Sequence, residues 1–401
     1  MKKNGNNIEQ AIILAAGEGQ RLNPLTASCS KVMLPLGGKP ILQYVIEALV
    51  QSGIRCLLIV VGYHKEQIQD YFGSGNNFGA EISYVIQERQ LGTAHALKHA
   101  RDMAEDRFIV LSGDNIVSSV AISDLLNVNR FTILATKATD KSMLGRGLVQ
   151  IKESKVQSII GDILPSTEGL INTGIYVMGK EIFDFIGDEL ELPSVINEMI
   201  KQGEVVSYRE TTNRWFDVIH HPDLLKLNNI VLQDLSPSLS GVIETCSTIK
   251  GRVSIGRETI IRANCYIIGP VSIGDNCDIG PNVCILPSTS IGNNTVIAPF
   301  TILKNSLIFN NVSIGYNSTI EDSIVSTGTV IRGHFTAYSG KTARYIEGLG
   351  QHEIDMGTVI GNDCQIEDGI NVRPGVTVGN SSCIRAAKII NENVPDGSIV
   401  I

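Results

Sequence analysis

Aromatic side chains make up only 5% of the 401 residues, with a single Trp, and charged side chains only 18%. No basic cluster occurs and no aromatics interleave with Lys or Arg. Together with a net charge of −8 and a pI near 5.5, this argues against a nucleic-acid backbone as the main ligand. Long apolar runs are also missing: none approaches the roughly 18 residues that a membrane span needs. The opening Met1-Lys2-Lys3-Asn4-Gly5-Asn6-Asn7 lacks the apolar segment of a secretion signal. A cytoplasmic protein without a membrane partner is expected. The eight cysteines include no Cys-x-x-Cys pair and no His-linked metal spacing, which argues against a zinc or dithiol motif.

What is present is apolar and periodic. Hydrophobic residues reach 43% with a mean hydropathy of +0.12, so the chain is expected to fold throughout, and its length predicts two domains. Ile243, Ile249, Ile255, Ile261, Ile267, Ile273, Ile279, Ile285, Ile291 and Ile297 follow one another six residues apart. That period matches neither a helix nor a free strand. It fits short strands on the faces of a triangular coil, one inward Ile per face, and predicts a parallel β-helix. Small residues after many of these Ile, as in Ile255-Gly256, Ile273-Gly274, Ile279-Gly280 and Ile291-Gly292, read as corners that need a positive φ. Cys265, Cys277 and Cys364 precede an inward Ile by two positions and read as small packing residues. The count slips by one residue after Leu303, continuing at Ile308, Ile314 and Ile320. It is lost between about 334 and 356, which reads as an irregular loop serving a binding face or a neighbouring subunit, and it resumes at Ile360. Exposed coil faces predict closure into a ring of three copies.

The first part alternates differently. Apolar strands are predicted at 8–14, 55–61, 81–87 and 108–112, with helices at 40–51, 64–72, 92–103 and 222–232. This gives an α/β domain with a mostly parallel, Rossmann-like sheet covered on both faces. The Ser/Pro/Gly-rich stretch from Leu235 to Gly241 marks the hinge, giving domains 1–234 and 235–401. Asp114 falls at the carboxyl end of a strand, the edge where open α/β sheets hold ligands.

The turn Ala15-Ala16-Gly17-Glu18-Gly19-Gln20-Arg21 after the first strand is rich in Gly. Leu22 stands where a dinucleotide fingerprint would have its third Gly, and no Gly-Lys-Ser/Thr of a P-loop occurs. Bare amides at Gly17 and Gly19, with Arg21 and Lys31, can instead cradle a phosphate. Leu14 to Leu22 together with Ser30-Lys31-Val32-Met33-Leu34-Pro35 resembles the signature of sugar-1-phosphate nucleotidylyltransferases. The whole layout resembles the bifunctional N-acetylglucosamine-1-phosphate uridylyltransferase/glucosamine-1-phosphate acetyltransferase family, especially its archaeal form.

That resemblance implies a left-handed coil and a set of roles. Leu14, Ala15, Ala16, Gly17, Gly19, Gln87, Gly92 and Thr93 would bind the nucleotide, with Gln87 pairing the base edge. Arg21 and Lys31 would be catalytic, Asp114 and Asp217 would hold Mg²⁺, and Gly145, Asp162 and Asn172 would contact the sugar. His334, in Gly333-His334-Phe335-Thr336-Ala337-Tyr338, would be the base of an acetyl-CoA-dependent acetylation on the coil. The implied partners are a nucleoside triphosphate (UTP or dTTP) and a sugar-1-phosphate, with a homotrimer as the assembly. Cys29-Ser30 replace the family's Arg-Pro, Gly161 replaces a sugar-binding Glu, and His220-His221-Pro222 replace an aromatic-Pro-Trp run. Two other readings stay open here: a non-catalytic regulatory or scaffold relative, and a coil acetyltransferase with a vestigial first domain.

Overall fold

The computed structural model describes residues 8–137, 147–161, 169–346 and 350–401. Strands β1 (Gln10–Ala15), β2 (Cys56–Val61), β3 (Glu81–Ile86) and β4 (Arg107–Ser112) form a parallel sheet in the order β3-β2-β1-β4. Burial on both faces explains the unbroken apolar runs. Ala11, Ile13 and Ala15 of β1 enter one core, while Ile12 and Leu14 enter the other. Helices α1 (Ile41–Gln51) and α2 (Lys65–Phe72) cover the first face. On the second lie α3 (Thr93–Lys98) and α4 (Leu192–Lys201). Beyond β4 the sheet continues antiparallel through β5 (Leu170–Gly179). The helix expected over 92–103 stops at Lys98, where His99 and Ala100 tighten into bonds to the third residue back.

A short ribbon leaves the sheet beyond β4. Asn115–Val117 pairs antiparallel with Trp215–Asp217, and Asp217 lies directly opposite Asn115. Helix α5 (His221–Gln233) follows; Asp223 caps its start by accepting from the His220 and Ile219 amides.

From Ser238 onward the chain forms the left-handed β-helix, three stacked parallel sheets in which most strands pair with one 17 or 18 residues ahead, and those that bracket the hairpin with one 35 ahead. Ile255, Ile273 and Ile291 stack on one face, Ile261, Ile279 and Ile297 on the next, and Ile267 and Ile285 on the third, all buried. Ile243, on the first turn of the coil, is more exposed. Cys265, Cys277 and Cys364 are buried inside, each thiol donating to the carbonyl of a Gly one turn on.

The corners correct the reading of the glycines. Gly256, Gly274, Gly280 and Gly292 do not have positive φ; that conformation falls two residues later, on Glu258, Asn276, Asn282 and Asn294. Asn tolerates the left-handed region, and the amides of Asn276, Asn294 and Asn311 form a ladder with spacings of 2.9 and 3.0 Å. The glycines serve close stacking instead: a Cβ on Gly256 would stand 2.5 Å from the Gly274 carbonyl carbon, and one on Gly292 2.7 Å from the Asn310 nitrogen.

The break in period is also more regular than expected. The coil continues through Thr336–Ala337. Gly340–Ile346 and Gly350–Met356 then pair as an antiparallel hairpin, not an irregular loop. The hairpin touches α5 of its own chain, and Met356 and Val359 enter a core with Leu22, Leu25, Leu34, Leu36 and Leu224 from the first domain and with Leu307, Phe309 and Ile324 from the coil. One apolar cluster therefore joins the two parts.

Ile279→Ala, inside the coil, should destabilise the protein by about 3 kcal/mol. Ile302→Ala, on the outer surface, should change it by less than about 0.5 kcal/mol. Denaturant unfolding of the two variants side by side checks this, and equal losses would contradict the inward stacking.

Candidate active site

The carboxyl edge of the parallel sheet opens into a cleft of ≈ 760 Å³. Leu14 lines it at the end of β1, followed by the Gly-rich turn. Gly19 has φ +68°, and a Cβ there would stand 2.8 Å from the Lys31 Cβ, so only Gly lets the Lys31 stem pass. Thr26 fixes this arrangement by donating its hydroxyl to the Gly19 carbonyl at 2.9 Å. Gly17 differs. A Cβ there would meet no atom within 4 Å, and its backbone is not left-handed, so the fold itself does not demand Gly at that position. Ala15, Ala16 and Gly17 are not among the cleft-lining residues; Gly19, Arg21 and Lys31 are.

Lys31 opens a 3₁₀ turn (Lys31–Met33). The preceding Ser30 donates its backbone N–H to Gln67 at 3.0 Å, a bond that Pro could not make. Next to it the Cys29 thiol is pushed up to about 12 by burial, which leaves it an inert packing group. Lys31 Nζ donates to Asp114 Oδ2. Burial alone would push the Lys31 ammonium down, but the carboxylates of Asp114, Asp217 and Asp223 more than offset this and hold it above its ordinary value. For Asp114, burial works toward a higher value and Lys31 outweighs it, keeping the carboxyl ionised below the usual range.

Asp114 and Asp217, about a hundred positions apart in sequence, meet because the ribbon places Asp217 across from Asn115. Both line the cleft. Asp114 Oδ1 is buried and has no hydrogen-bond partner among the described residues, an acceptor held ready for a cation. No group of three or more His, Cys, Asp or Glu side chains among the described residues forms a protein-only metal cage. Asp114 and Asp217 are two carboxylates that could share a divalent ion whose remaining ligands come from phosphate and water.

At the opposite lip Thr93 lines the cleft, but Gln87 does not. Gln87 is buried, and its amide nitrogen donates to His95 Nδ1 at 2.8 Å and to the Gly92 carbonyl at 3.3 Å. Burial, followed by His99 and Lys98, holds His95 below its ordinary value, consistent with a neutral ring accepting that bond. Gly92 has φ +147°, and a Cβ there would clash with the Leu190 backbone. Thr93 clips onto α4, donating its hydroxyl to Glu191 at 2.7 Å and accepting from the Leu192 N–H at 2.8 Å.

Asn172 is buried at the cleft wall; its amide nitrogen donates to the Tyr176 hydroxyl at 2.7 Å and its oxygen accepts from the Gly174 N–H. Burial pushes the Tyr176 phenol up to about 12, so it remains neutral. Gly145 and Asp162 lie outside the described residues. His334 is exposed on a coil corner, 5.1 Å from the Tyr316 ring, and is not among the cleft-lining residues.

The sequence reading missed Ser112, Asn115, Tyr176, Glu191 and Trp215, all of which line the cleft. Asn115 carried a signal, adjacent to Asp114 at a strand end. Glu191 carried none, since nothing in the sequence ties it to Thr93.

Comparison with known proteins agrees with this geometry. The nucleotidyl transferase family model matches residues 10–234, and the GMPPB C-terminal domain model matches residues 267–342. The bifunctional protein GlmU of Methanococcus maripaludis strain C7 is 34% identical over 97% of this chain and 96% of its own length. Glucose-1-phosphate thymidylyltransferase of Streptomyces antibioticus is 30% identical over 65% of this chain and 76% of its own. A solved UDP-glucose pyrophosphorylase complexed with UDP-glucose overlays 57% of this chain and 99% of its own with a TM-score of 0.51; at 18% identity it speaks for the fold alone.

The two glycines of the turn should behave oppositely in unfolding experiments. Gly19→Ala should cost about 1–2 kcal/mol from the left-handed backbone, before any clash with Lys31. Gly17→Ala should stay within about 0.5 kcal/mol of the parent. Equal costs would contradict the account of the turn.

Proposed function

The chain belongs to the nucleotidyl transferase family, and on that premise we propose that it joins UTP or dTTP to glucose-1-phosphate or N-acetylglucosamine-1-phosphate, releasing pyrophosphate. The observation that carries this reading is one cleft lined by Arg21, Lys31, Asp114 and Asp217 at the carboxyl edge of a parallel sheet. A regulatory relative or a vestigial first domain would have no use for a buried Lys–Asp pair kept charged at its own cost.

In this reading the sugar-phosphate oxygen attacks the α-phosphorus, and the bond to the β-phosphate oxygen breaks on the far side. The attacking phosphate is already ionised near neutral pH, so no side chain needs to remove a proton. The chain's part is positioning and charge. Lys31 stays protonated beside its carboxylates and can lean toward the α-phosphate. Arg21 reaches the pyrophosphate side, and the N–H groups at Gly17 to Gly19 follow the phosphates, with open space in front of Gly17. Asn172 and Tyr176 offer polar atoms to sugar hydroxyls.

Charge also supports a divalent ion. Among the described residues, Asp114, Asp217 and Glu191 line the cleft against only Arg21 and Lys31, an unfavourable balance for a triphosphate. Mg²⁺ held by Asp114 and Asp217 would supply the missing positive charge and polarise the phosphate.

Self-association through the coil belongs to the same reading. Phe300 and Tyr316 stand exposed on the corner that also carries His334, apolar surface that two further copies would cover. Sedimentation equilibrium should give three times the chain mass of 43.3 kDa; a monomer would remove the trimer from the reading.

Pyrophosphate release measured with UTP, dTTP and both sugar-1-phosphates should identify one preferred pair and require Mg²⁺. Asp114→Ala should lower kcat by at least about 10³-fold while leaving the circular dichroism spectrum unchanged. Undiminished turnover in that variant would overturn the assignment.

A further inference from the structure

The segment between Arg21 and Lys31 is held from two sides. From its own domain, Tyr63 donates its hydroxyl to the Ala27 carbonyl at 3.0 Å, and Gln67 donates its amide to the Ser28 carbonyl at 2.8 Å. From the coil, Asn380 Nδ2 donates to the Pro24 carbonyl at 3.1 Å, and Asn362 Nδ2 donates to the Ser28 hydroxyl. Pro24 stands three residues after Arg21, and Ser28 three before Lys31. Leu22 and Leu25 of the same segment are buried in the apolar cluster shared with Leu307, Phe309 and Ile324 of the coil. Residues more than three hundred positions away thus touch the segment that spans the two cleft cations.

The chemistry of the coil corner shows that these amide nitrogens are not needed for the coil itself. At this corner the side-chain oxygen of one turn accepts the backbone N–H of the turn before it. Asp275 accepts from Arg257 at 2.7 Å, Asn293 from Asp275 at 2.8 Å, Asn310 from Asn293 at 2.8 Å, Asn380 from Asn362 at 2.7 Å and Asp396 from Asn380 at 2.6 Å. The ladder requires only an acceptor, and Asp275 and Asp396 serve as well as Asn. At positions 362 and 380 the oxygen still does coil work: Asn362 Oδ1 accepts from the Ser326 hydroxyl. The second half of each amide is turned toward the first domain. Asn380 Nδ2 also lies 3.4 Å from Asp396 Oδ1, a longer contact than the one to Pro24.

We propose that Asn380 and Asn362 are positioning residues for nucleotidyl transfer: coil side chains whose amide donors hold the Arg21–Lys31 segment in register with the Asp114 and Asp217 end of the cleft. The inference deepens the function proposed above and rests on it. Misplacement of reacting groups by about 1 Å is enough to cost on the order of 10²-fold in rate, so a segment anchored on only one side would lose turnover without losing its charges. The coil then acts as part of the first domain's active-site support.

The two contacts differ in a way that makes the test sharp. In Asn380→Asp the ladder acceptor survives, but a carboxylate faces the Pro24 carbonyl and nothing can donate between them. In Asn362→Asp the Ser28 hydroxyl can turn and donate to the new carboxylate, so the contact is retained. Asn380→Asp also brings a second carboxylate beside Asp396, so it is made together with Asp396→Asn, and Asn293→Asp beside Asp275 serves as the coil control.

Amide hydrogen exchange over residues 20–30, measured without substrate, and steady-state pyrophosphate release with Mg²⁺ and the nucleotide and sugar-phosphate panel above are the two readouts. For Asn380→Asp/Asp396→Asn, exchange in 20–30 should rise about tenfold. Its kcat should fall about tenfold with KM for the sugar-1-phosphate moving less than about twofold, and its thermal midpoint should match that of Asn293→Asp. Asn362→Asp and Asn293→Asp should behave like the parent. Unchanged exchange in 20–30, or raised exchange with unchanged kcat, overturns the inference. A parent protein that releases no pyrophosphate sinks the functional reading instead, and the substrate-free exchange result tells the two failures apart.

Discussion

The first domain depends on keeping one buried ammonium charged at the wall of its cleft. Burial works to neutralise Lys31, and its charge survives because Asp114, Asp217 and Asp223 stand near it. Each partner comes from a different part of the chain: the end of β4, the ribbon strand opposite Asn115, and the first turn of α5. The bare φ-positive Gly19 that admits the Lys31 stem, the ribbon leaving the sheet edge and the capping of α5 by Asp223 all serve that electrostatic requirement. Removing one member of such a group costs far more than the pair contributes as a whole, since the survivor is left charged and buried. Among the described residues the same arrangement leaves Asp114 Oδ1 without a hydrogen-bond partner, and more carboxylates than cations line the cleft. In the proposed reading such a site is completed by a cation and an anionic substrate together.

The coil adds a second constraint, geometric rather than electrostatic. Its period fixes where every inward Ile, corner Asn and ladder oxygen must fall. The surface it presents to the first domain is therefore nearly rigid. The shared apolar cluster and the Asn362 and Asn380 donors set the segment between Arg21 and Lys31 against that surface. Where the period breaks, the chain spends the extra residues on a hairpin that returns to its own first domain, which ties the two parts together rather than extending the coil.

Much of this was legible in the residues. The six-residue spacing of Ile identifies the coil because only an inward slot repeated at each face demands it. The two-faced apolar strands identify the parallel sheet because both of its faces are covered. Asp114 could be placed because it follows an apolar strand at its carboxyl end, whereas Lys31 and Asp217 were placed by the resemblance of their motifs to the nucleotidylyltransferase family. The glycines after Ile were assigned the wrong physical cause. Sequence shows that a residue is small, not whether a backbone torsion or a neighbouring turn makes it so. Gln87 was placed in the cleft, yet it turns inward to His95, since pairing across a lip is tertiary and leaves no periodic trace. Glu191 and Tyr176 were invisible for the same reason, and so was the hairpin, whose partner strands alternate too weakly to stand out beside the coil.

The central claim is that the turn after β1 and the two strand-end carboxylates grip opposite sides of one metal-bound triphosphate. A crystal structure of the protein with Mg²⁺ and UTP or dTTP tests this most directly. The account predicts the phosphates against the Gly17–Gly19 amides, the ion on Asp114 and Asp217, and the Lys31 ammonium drawn toward the α-phosphate. Nucleotide bound elsewhere on the molecule, or an ion that does not touch either aspartate, would contradict it.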